Sequence, residues 1–176
     1  MQSTTTKQEL HRTRSQVWIK SLAKHLLAQH ESEAIRVFSR YDESNRKEFG
    51  LNELLYDVLV VQIKKIPSAK QRKKLSLIDD VLWQVESEFA RDSQQALYDF
   101  NKLVLGSGRS KLFIGPQVSD NQAFIDSLLP AAQACSGAVY IALIPHPADW
   151  DKHTNPCNAT CIDTWIYTDN KWKVLS

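Results

Sequence analysis

The apolar run LLYDVLVVQI, residues 54–63, constrains the fold of this chain more than any other segment. A nearly continuous apolar run of this length is typical of a central β-strand that is covered on both faces. The chain must therefore supply helices for both sides of a sheet. Asp57 is out of place in this run, because it is an isolated acid among residues suited to a core.

Three more segments predict strands, and after residue 80 they alternate with helical patterns. The strands are expected at 81–89, 111–116 and 138–145, and the helices at QQALYDFNKLVLG, capped by Asp92 or Ser93 and ended by Gly106, and at NQAFIDSLLPAAQAC, where Pro130 could introduce a kink. Strand–helix–strand order requires crossovers between parallel strands. The predicted fold class is α/β or α+β, with a mixed central sheet flanked by helices.

The two ends of the chain carry weaker signals. Residues 1–14 predict a flexible polar arm, and residues 15–176 a single domain whose first helix starts at Ser15. Residues 33–40 are expected to be helical, followed by a polar loop. The segment TWIYTDNKWKVL predicts a hairpin that turns at Asp169-Asn170, with Trp165 and Trp172 paired across it.

Composition limits the cellular setting. The chain has three cysteines, a polar N-terminus and no apolar run near the ~20 residues that a membrane span needs. These features predict free thiols, a cytoplasmic location and no membrane. The net charge of +2 is too small to indicate nucleic-acid binding by itself.

Two glutamates follow an apolar stretch in VLWQVESEF, residues 81–89. Alternation along a strand places Glu86 and Glu88 on one face, together with Gln84. The opposite face would take Val81, Trp83, Val85 and Ser87.

If the run that contains Asp57 is the neighbouring strand, Asp57 and Glu86 should converge. Carboxylates that are close together repel unless a cation lies between them, and Mg²⁺ with oxygen ligands would meet this need. Lys102, on the next predicted helix, would neutralise a phosphate or orient a water. Such a site suits metal-assisted hydrolysis of a phosphodiester.

The segments LLYDVLVV, WQVESEF, YDFNKL and KLFIGP together resemble the PD-(D/E)XK nuclease superfamily, the restriction-endonuclease-like proteins, over residues 53–144. The resemblance implies a metal-dependent DNA endonuclease with DNA as its partner and a homodimer for cutting both strands. It makes Asp57 and Glu86 ligands of Mg²⁺ or Mn²⁺, with Glu53 as an accessory acid. Glu88 stands where the superfamily usually has lysine, and Lys102 would replace that lysine from the following helix.

A basic run separates the two acidic segments. Residues 64–74 contain six basic side chains and no acid: Lys64, Lys65, Lys70, Arg72, Lys73 and Lys74. A loop beside the acidic site could bind backbone phosphates, so these residues are predicted to contact nucleic acid. The alternative is a solvated linker, which is what charge runs usually are.

Other interpretations of the same residues stay open. Glu86 and Glu88 could end a strand in solvent, with Lys102 paired to Asp99 or Glu88. The fold could also be a catalytically inactive module that binds nucleic acid or a partner protein. A zinc site is a weaker hypothesis, because the spacing of its candidate ligands departs from the usual paired arrangements. Those candidates are His146, His153, Cys157 and Cys161.

Overall fold

The computed structural model describes residues 7–30, 32–69, 73–152 and 162–175, in which seven strands form one mixed sheet in chain order. The strands are β1 (Ile35–Phe38), β2 (Val58–Pro67), β3 (Lys74–Ser87), β4 (Ser110–Pro116), β5 (Ala138–Ile144), β6 (Asp163–Thr168) and β7 (Lys171–Val174). Strands β3, β4 and β5 are parallel, and every other pair is antiparallel. The predicted fold class is confirmed.

Helices cover both faces of this sheet. They are α1 (Lys7–Gln29), α2 (Arg46–Phe49), α3 (Ser93–Leu105), α4 (Asn121–Ala134) and a 3₁₀ helix at Pro147–Lys152. Along β2, Val58 and Val60 pack toward α1, whereas Leu59 and Val61 pack toward α3 and α4. The apolar run therefore forms a strand buried on both sides, as predicted. Within the described ranges, no helix is long and apolar enough to span a membrane.

Local signals place the ends of the two long helices that follow β3. The Asp92 carboxylate accepts a hydrogen bond from the Gln94 backbone N–H at 2.9 Å and caps α3, which ends at Gly106. Helix α4 begins after Asp120 and accommodates Pro130 within its length. Helix α3 buries Phe100 and Leu103 of its apolar face, and α4 buries Phe124, Ile125 and Leu128.

Two predictions about the N-terminal region are wrong. Helix α1 begins at Lys7 rather than at Ser15, so residues 7–14 of the predicted arm are helical. Residues 35–38, expected to be helical, form β1 instead. In β1, Val37 and Phe38 are buried on opposite faces of the sheet, and the branched side chains of Ile35 and Val37 favour a strand.

The β2–β3 hairpin is longer than predicted, and this moves the basic run. Strand β2 occupies 58–67 rather than 54–63, and β3 begins at Lys74 rather than at Val81. Lys64 and Lys65 therefore lie in β2. Lys73 and Lys74 lie at the start of β3, while Lys70 and Arg72 fall outside the described residues.

The basic residues that the structure describes consequently lie far from the acids, and the predicted loop beside the acidic site is wrong. Val58 pairs with Val85 and Pro67 with Lys74, so the hairpin turn is at the opposite end of the strands from Asp57. At roughly 3.3 Å per residue the two ends are about 30 Å apart. Strand β1 pairs only with residues 59–62 and β4 only with residues 83–87, so the far part of the hairpin is uncovered and need not be apolar.

A bulge in β3 changes the predicted faces of that strand. Val60 pairs with Trp83 but Val61 pairs with Val81, which leaves Leu82 as an extra residue. Val81 consequently packs toward α3 and α4, while Trp83 and Val85 pack toward α1. The predicted common face is wrong for Val81 alone.

The C-terminal hairpin turns at the predicted place. Asp169 and Asn170 have φ values of 51° and 61°, as a two-residue turn of this kind requires. The turn sets the register so that Trp172 pairs with Tyr167, and the predicted pairing of Trp172 with Trp165 is wrong.

Candidate functional site

Asp57 and Glu86 lie at the same end of the β2–β3 hairpin. Asp57 immediately precedes β2, and Glu86 is the second-last residue of β3. Because Val58 pairs with Val85, the two acids occupy the next positions on adjacent strands. The negative charge of Asp57 contributes to raising the pKa of Glu86, so the two carboxyl groups interact electrostatically.

Glu86 is the most buried acid of this site, with 1% of its surface exposed. Its Oε2 atom accepts a hydrogen bond from Lys102 Nζ at 3.1 Å, whereas Oε1 is buried and has no hydrogen-bond partner among the described residues. Burial is the main cause that raises the pKa of Glu86, Asp57 adds to it and Lys102 opposes both, with a net pKa of about 8. A buried oxygen without a partner is costly, which makes Glu86 the unusual group of the site.

Lys102 lies in the last turn of α3 and contacts two acids. Its Nζ atom is 3.1 Å from Glu86 and 2.7 Å from Asp99. Desolvation lowers the pKa of Lys102, but the hydrogen bond to Asp99 and the charge of Glu86 outweigh it and raise the pKa above its ordinary value. The amine is therefore held in its charged form and cannot accept a proton near neutral pH. The alternative pairing of Lys102 with Asp99 is present together with the bond to Glu86.

Asp57 is held by a different partner. Its Oδ2 atom accepts hydrogen bonds from the backbone N–H of Ser87 at 3.0 Å and from Ser87 Oγ at 2.6 Å. Ser87 shares the α1 face with Val85, whereas Glu86 faces α3. The carboxylates of Asp57 and Glu86 are therefore fixed by separate partners toward opposite faces of the sheet.

A tight turn before β2 explains this orientation. Leu55 has a φ of 68°, and the Tyr56 N–H donates to the Leu54 carbonyl at 2.8 Å. Tyr56 packs among the residues on the α3 face, and the chain then turns Asp57 toward Ser87. Regular alternation along residues 54–63 would instead put Asp57 on the α3 side with Leu59, so the turn at Leu55 is what directs Asp57 toward Ser87.

Glu88 follows the end of β3, close to the same cluster. Its Oε1 atom accepts a hydrogen bond from the Ala90 N–H at 2.6 Å. Burial raises the pKa of Glu88, the bond to Ala90 opposes this, and a hydrogen bond with Asp99 raises it again. Together with the 1% exposure of Glu86, this contradicts the alternative in which both glutamates end a strand in solvent.

A cleft of about 330 Å³ opens on the α1 side of Asp57 and Glu88. We call it the α1 cleft. It is lined by His11, Arg12, Ser15, Gln16, Ile19, Tyr41, Asp57, Ser87, Glu88 and Phe89. A ligand in this cleft would lie beside Asp57 and Glu88, whereas Glu86 and Lys102 lie on the α3 side of the strand.

The other predicted site residues lie elsewhere. Glu53 is exposed before β2 and acts electrostatically on Tyr41. Lys64 pairs with Asp79 and Lys65 with Glu48, so both are engaged at the far part of the hairpin.

Of the four candidate zinc ligands, the structure describes only His146. Its ring stacks on His11 at a centroid distance of 4.7 Å, and its Nδ1 accepts a hydrogen bond from the Ala148 N–H. The other three candidate ligands, His153, Cys157 and Cys161, fall outside the described residues. In the part of the chain that the structure describes, no group of three or more His, Cys, Asp or Glu side chains is arranged to hold a metal ion.

Sequence reasoning missed Ser87 and the cleft-lining residues of α1. Ser87 stands between the two glutamates, so its position beside a partner acid could have been inferred once the strands were paired. Arg12 and Tyr41 are distant from Asp57 along the chain and carry no motif, so only the fold brings them together.

Comparisons with family models, with curated proteins and with solved structures gave no match.

Proposed function

We propose that this protein is a Mg²⁺- or Mn²⁺-dependent phosphodiesterase that cleaves DNA, with Asp57 and Glu86 as the metal ligands. The observation that carries the proposal is the Oε1 atom of Glu86, which is buried without a partner beside a second acid. Strongly shifted pKa values in such surroundings are concentrated at functional sites.

Asp57 and Glu86 are residue types that bind a divalent cation, but their carboxylates face opposite sides of the sheet, so a shared ion requires Asp57 to turn from Ser87 toward Glu86. Mg²⁺ is usually bound in proteins by one or two carboxylates, with water and phosphate oxygens completing its coordination. Glu86 offers an oxygen without a partner, and both bonds from Ser87 go to one oxygen of Asp57. A bound cation would activate water and balance the charge that develops on the phosphate.

The residues around these two acids have distinct tasks in this proposal. Lys102 stays charged and holds Glu86 through Oε2, so it is a positioning residue and an electrostatic partner rather than a base. Ser87 fixes the carboxylate of Asp57. Glu88 lines the α1 cleft with a raised pKa, which suits it to exchange a proton with water beside Asp57.

Nicking of supercoiled plasmid in Mg²⁺ or Mn²⁺ tests the proposal, because one site is enough to cut one strand whether or not a homodimer forms. The variants are Asp57→Asn and Glu86→Gln. The matched control is Asp126→Asn, an exposed acid on α4 that bonds to Gln122. Nicking should be lost in both site variants and kept in the control. Nicking that persists in both site variants would remove the assignment.

A second candidate is a catalytically inactive fold that binds nucleic acid. Separate partners hold Asp57 and Glu86, and Glu88 occupies the position where the resembling superfamily has lysine; both observations favour this candidate. DNA binding without nicking in any divalent metal would select it.

A further inference from the structure

The acidic end of the hairpin needs a source of positive charge if it is to receive a phosphate. Lys64 and Lys65, two of the basic residues predicted for this task, lie about 23 Å or more from Asp57 along β2, at roughly 3.3 Å per strand residue. A lysine side chain cannot bridge that distance. Lys102 lies closer, but it is engaged by Glu86 and Asp99 on the opposite face.

Two arginines lie beside Tyr41 or in the cleft that Tyr41 lines together with Asp57. Arg12 lines the α1 cleft together with Asp57, and the guanidinium of Arg40 lies over the ring of Tyr41 at 5.6 Å from its centroid. Both arginines are exposed. Among the described residues neither has a carboxylate partner, although Arg36, Arg91 and Arg109 each form an ion pair.

Tyr41 connects these arginines to the acidic wall of the cleft. Burial raises the pKa of its hydroxyl, Asp57 and Glu53 raise it further, and Arg40 and Arg12 lower it. All four charges therefore act on one phenol. Arg12 lines the same cleft as Asp57, Arg40 lies over Tyr41, and neither forms an ion pair among the described residues, so both remain able to bind another anion.

Arginine is well suited to such an anion. Its planar guanidinium matches the oxygens of phosphate in a bidentate bond and is more weakly hydrated than an ammonium group. The cleft, at about 330 Å³, has the size of a small-ligand site and would receive about one nucleotide unit rather than a turn of duplex. Asp57 and Glu88 make the opposite wall negative, so a phosphate would lie on the arginine side.

We propose that Arg12 and Arg40, grouped around Tyr41 beside Asp57, form a binding site for a backbone phosphate of nucleic acid. This inference rests on the proposed function, because it takes the Asp57 end as the place where DNA is cleaved. The site would hold a phosphate next to the scissile bond and position the chain for the acids.

Binding of a short labelled DNA duplex, measured by fluorescence anisotropy in EDTA at several salt concentrations, tests the site. We expect Arg12→Gln and Arg40→Gln each to weaken binding by about tenfold and to reduce the salt slope by about 1, because each removes one phosphate contact. Arg12→Lys and Arg40→Lys should keep the slope. Lys171→Gln, an exposed change in the C-terminal hairpin, is the control.

The proposal is overturned if the folded Arg12→Gln/Arg40→Gln double variant binds DNA as wild type does, with the same salt slope. Loss of binding in Lys64→Gln/Lys65→Gln instead would assign the phosphates to the hairpin. Because the assay contains no metal, an inactive catalytic centre leaves its result unchanged. Conversely, nicking by the wild type together with normal DNA binding by the double variant would exclude this phosphate site and leave the nuclease proposal standing.

Discussion

Both ends of the β2–β3 hairpin carry charged side chains, but the key charge at the acidic end is buried and those at the far end are exposed. At the acidic end Glu86 is 1% exposed, and one of its oxygens has no partner. At the far part Lys64 and Lys65 are half-exposed and pair with acids on the surface. Surface pairs contribute little to stability, whereas a buried acid that is only partly satisfied is costly. The difference shows that the surroundings of a charge indicate function better than the density of charge in the sequence.

Two glutamates that contact this hairpin make the contrast measurable. Glu48 of α2 bonds to Lys65, Ser76 and Arg36, and although burial raises its pKa these bonds lower it to about 2. Burial raises the pKa of Glu86 to about 8, and a single lysine does not reverse it. Glu48 thus stabilises the fold as a carboxylate, whereas ionisation of Glu86 destabilises the fold.

The largest expected effect is on activity. Glu86→Gln should reduce nicking by at least about a hundredfold, because losing a metal ligand should cost no less than losing an outer-shell partner. The same change should leave the folded protein as stable or more stable, since glutamine carries no charge to bury. The matched variant Glu48→Gln should keep nicking and lower the melting temperature. Nicking that is kept in Glu86→Gln and lost in Glu48→Gln would contradict the comparison.

The pH dependence of stability gives the next largest effect. The pKa of Glu86 rises from 4.5 when unfolded to about 8 when folded, so between these values the folded state binds the extra proton. This proton stabilises the folded state fully below pH 4.5, and the stabilisation is lost as the pH rises through 8. The loss in unfolding free energy is several kcal/mol, at about 1.4 kcal/mol per pKa unit. Urea unfolding of wild type and Glu86→Gln from pH 5 to pH 8 measures it. Parallel curves for the two proteins would contradict the assignment.

Removing one lysine from each end sharpens the contrast further. Lys102→Met should cost about 1–3 kcal/mol of unfolding free energy, because Glu86 would lose the hydrogen bond that Lys102 Nζ donates to it. Lys64→Met should cost no more than about 0.5 kcal/mol, since it removes an exposed pair. Chemical denaturation of both variants provides the test. Equal losses of unfolding free energy in the two variants would mean that the two lysines contribute equally to stability.

The smallest expected effect is a loss of stability as the pH falls, whereas Glu86 causes a loss as the pH rises. Burial and the charge of Arg91 lower the pKa of His11 and of His146, which stack between α1 and the 3₁₀ helix. Their contribution is complete above pH 6.5 and is lost as the pH falls below it, by about 1 kcal/mol or less after allowance for solvent screening. His146→Phe keeps the stack and should flatten the stability curve between pH 5 and 7. An unchanged curve would exclude these histidines.

Features that depend on neighbouring residues in the chain were predictable. The Asp92 cap, the end of α3 at Gly106 and the turn at Asp169-Asn170 each follow from a few adjacent side chains. The buried strand β2 followed from its composition, although its ends were displaced by four residues because the uncovered part of the hairpin is polar.

The arrangement of the site was less predictable. The pairing of Asp57 with the Glu86 strand was inferred, but the turn at Leu55 that directs Asp57 toward Ser87 carries no glycine or other local signal. The bulge at Leu82 likewise shifts the faces of β3 without a sequence mark. Arg12 shares a cleft with Asp57 only because α1 packs across the sheet, which is a long-range property.

The most direct test of the central claim is a crystal soaked in Mn²⁺ and measured at the manganese edge. The account predicts an anomalous peak bound by Glu86 Oε1 and the carboxylate of Asp57, and the loss of that peak in Glu86→Gln. The absence of any peak between these two acids in the wild-type crystal, with Glu86 still bonded only to Lys102, would contradict it.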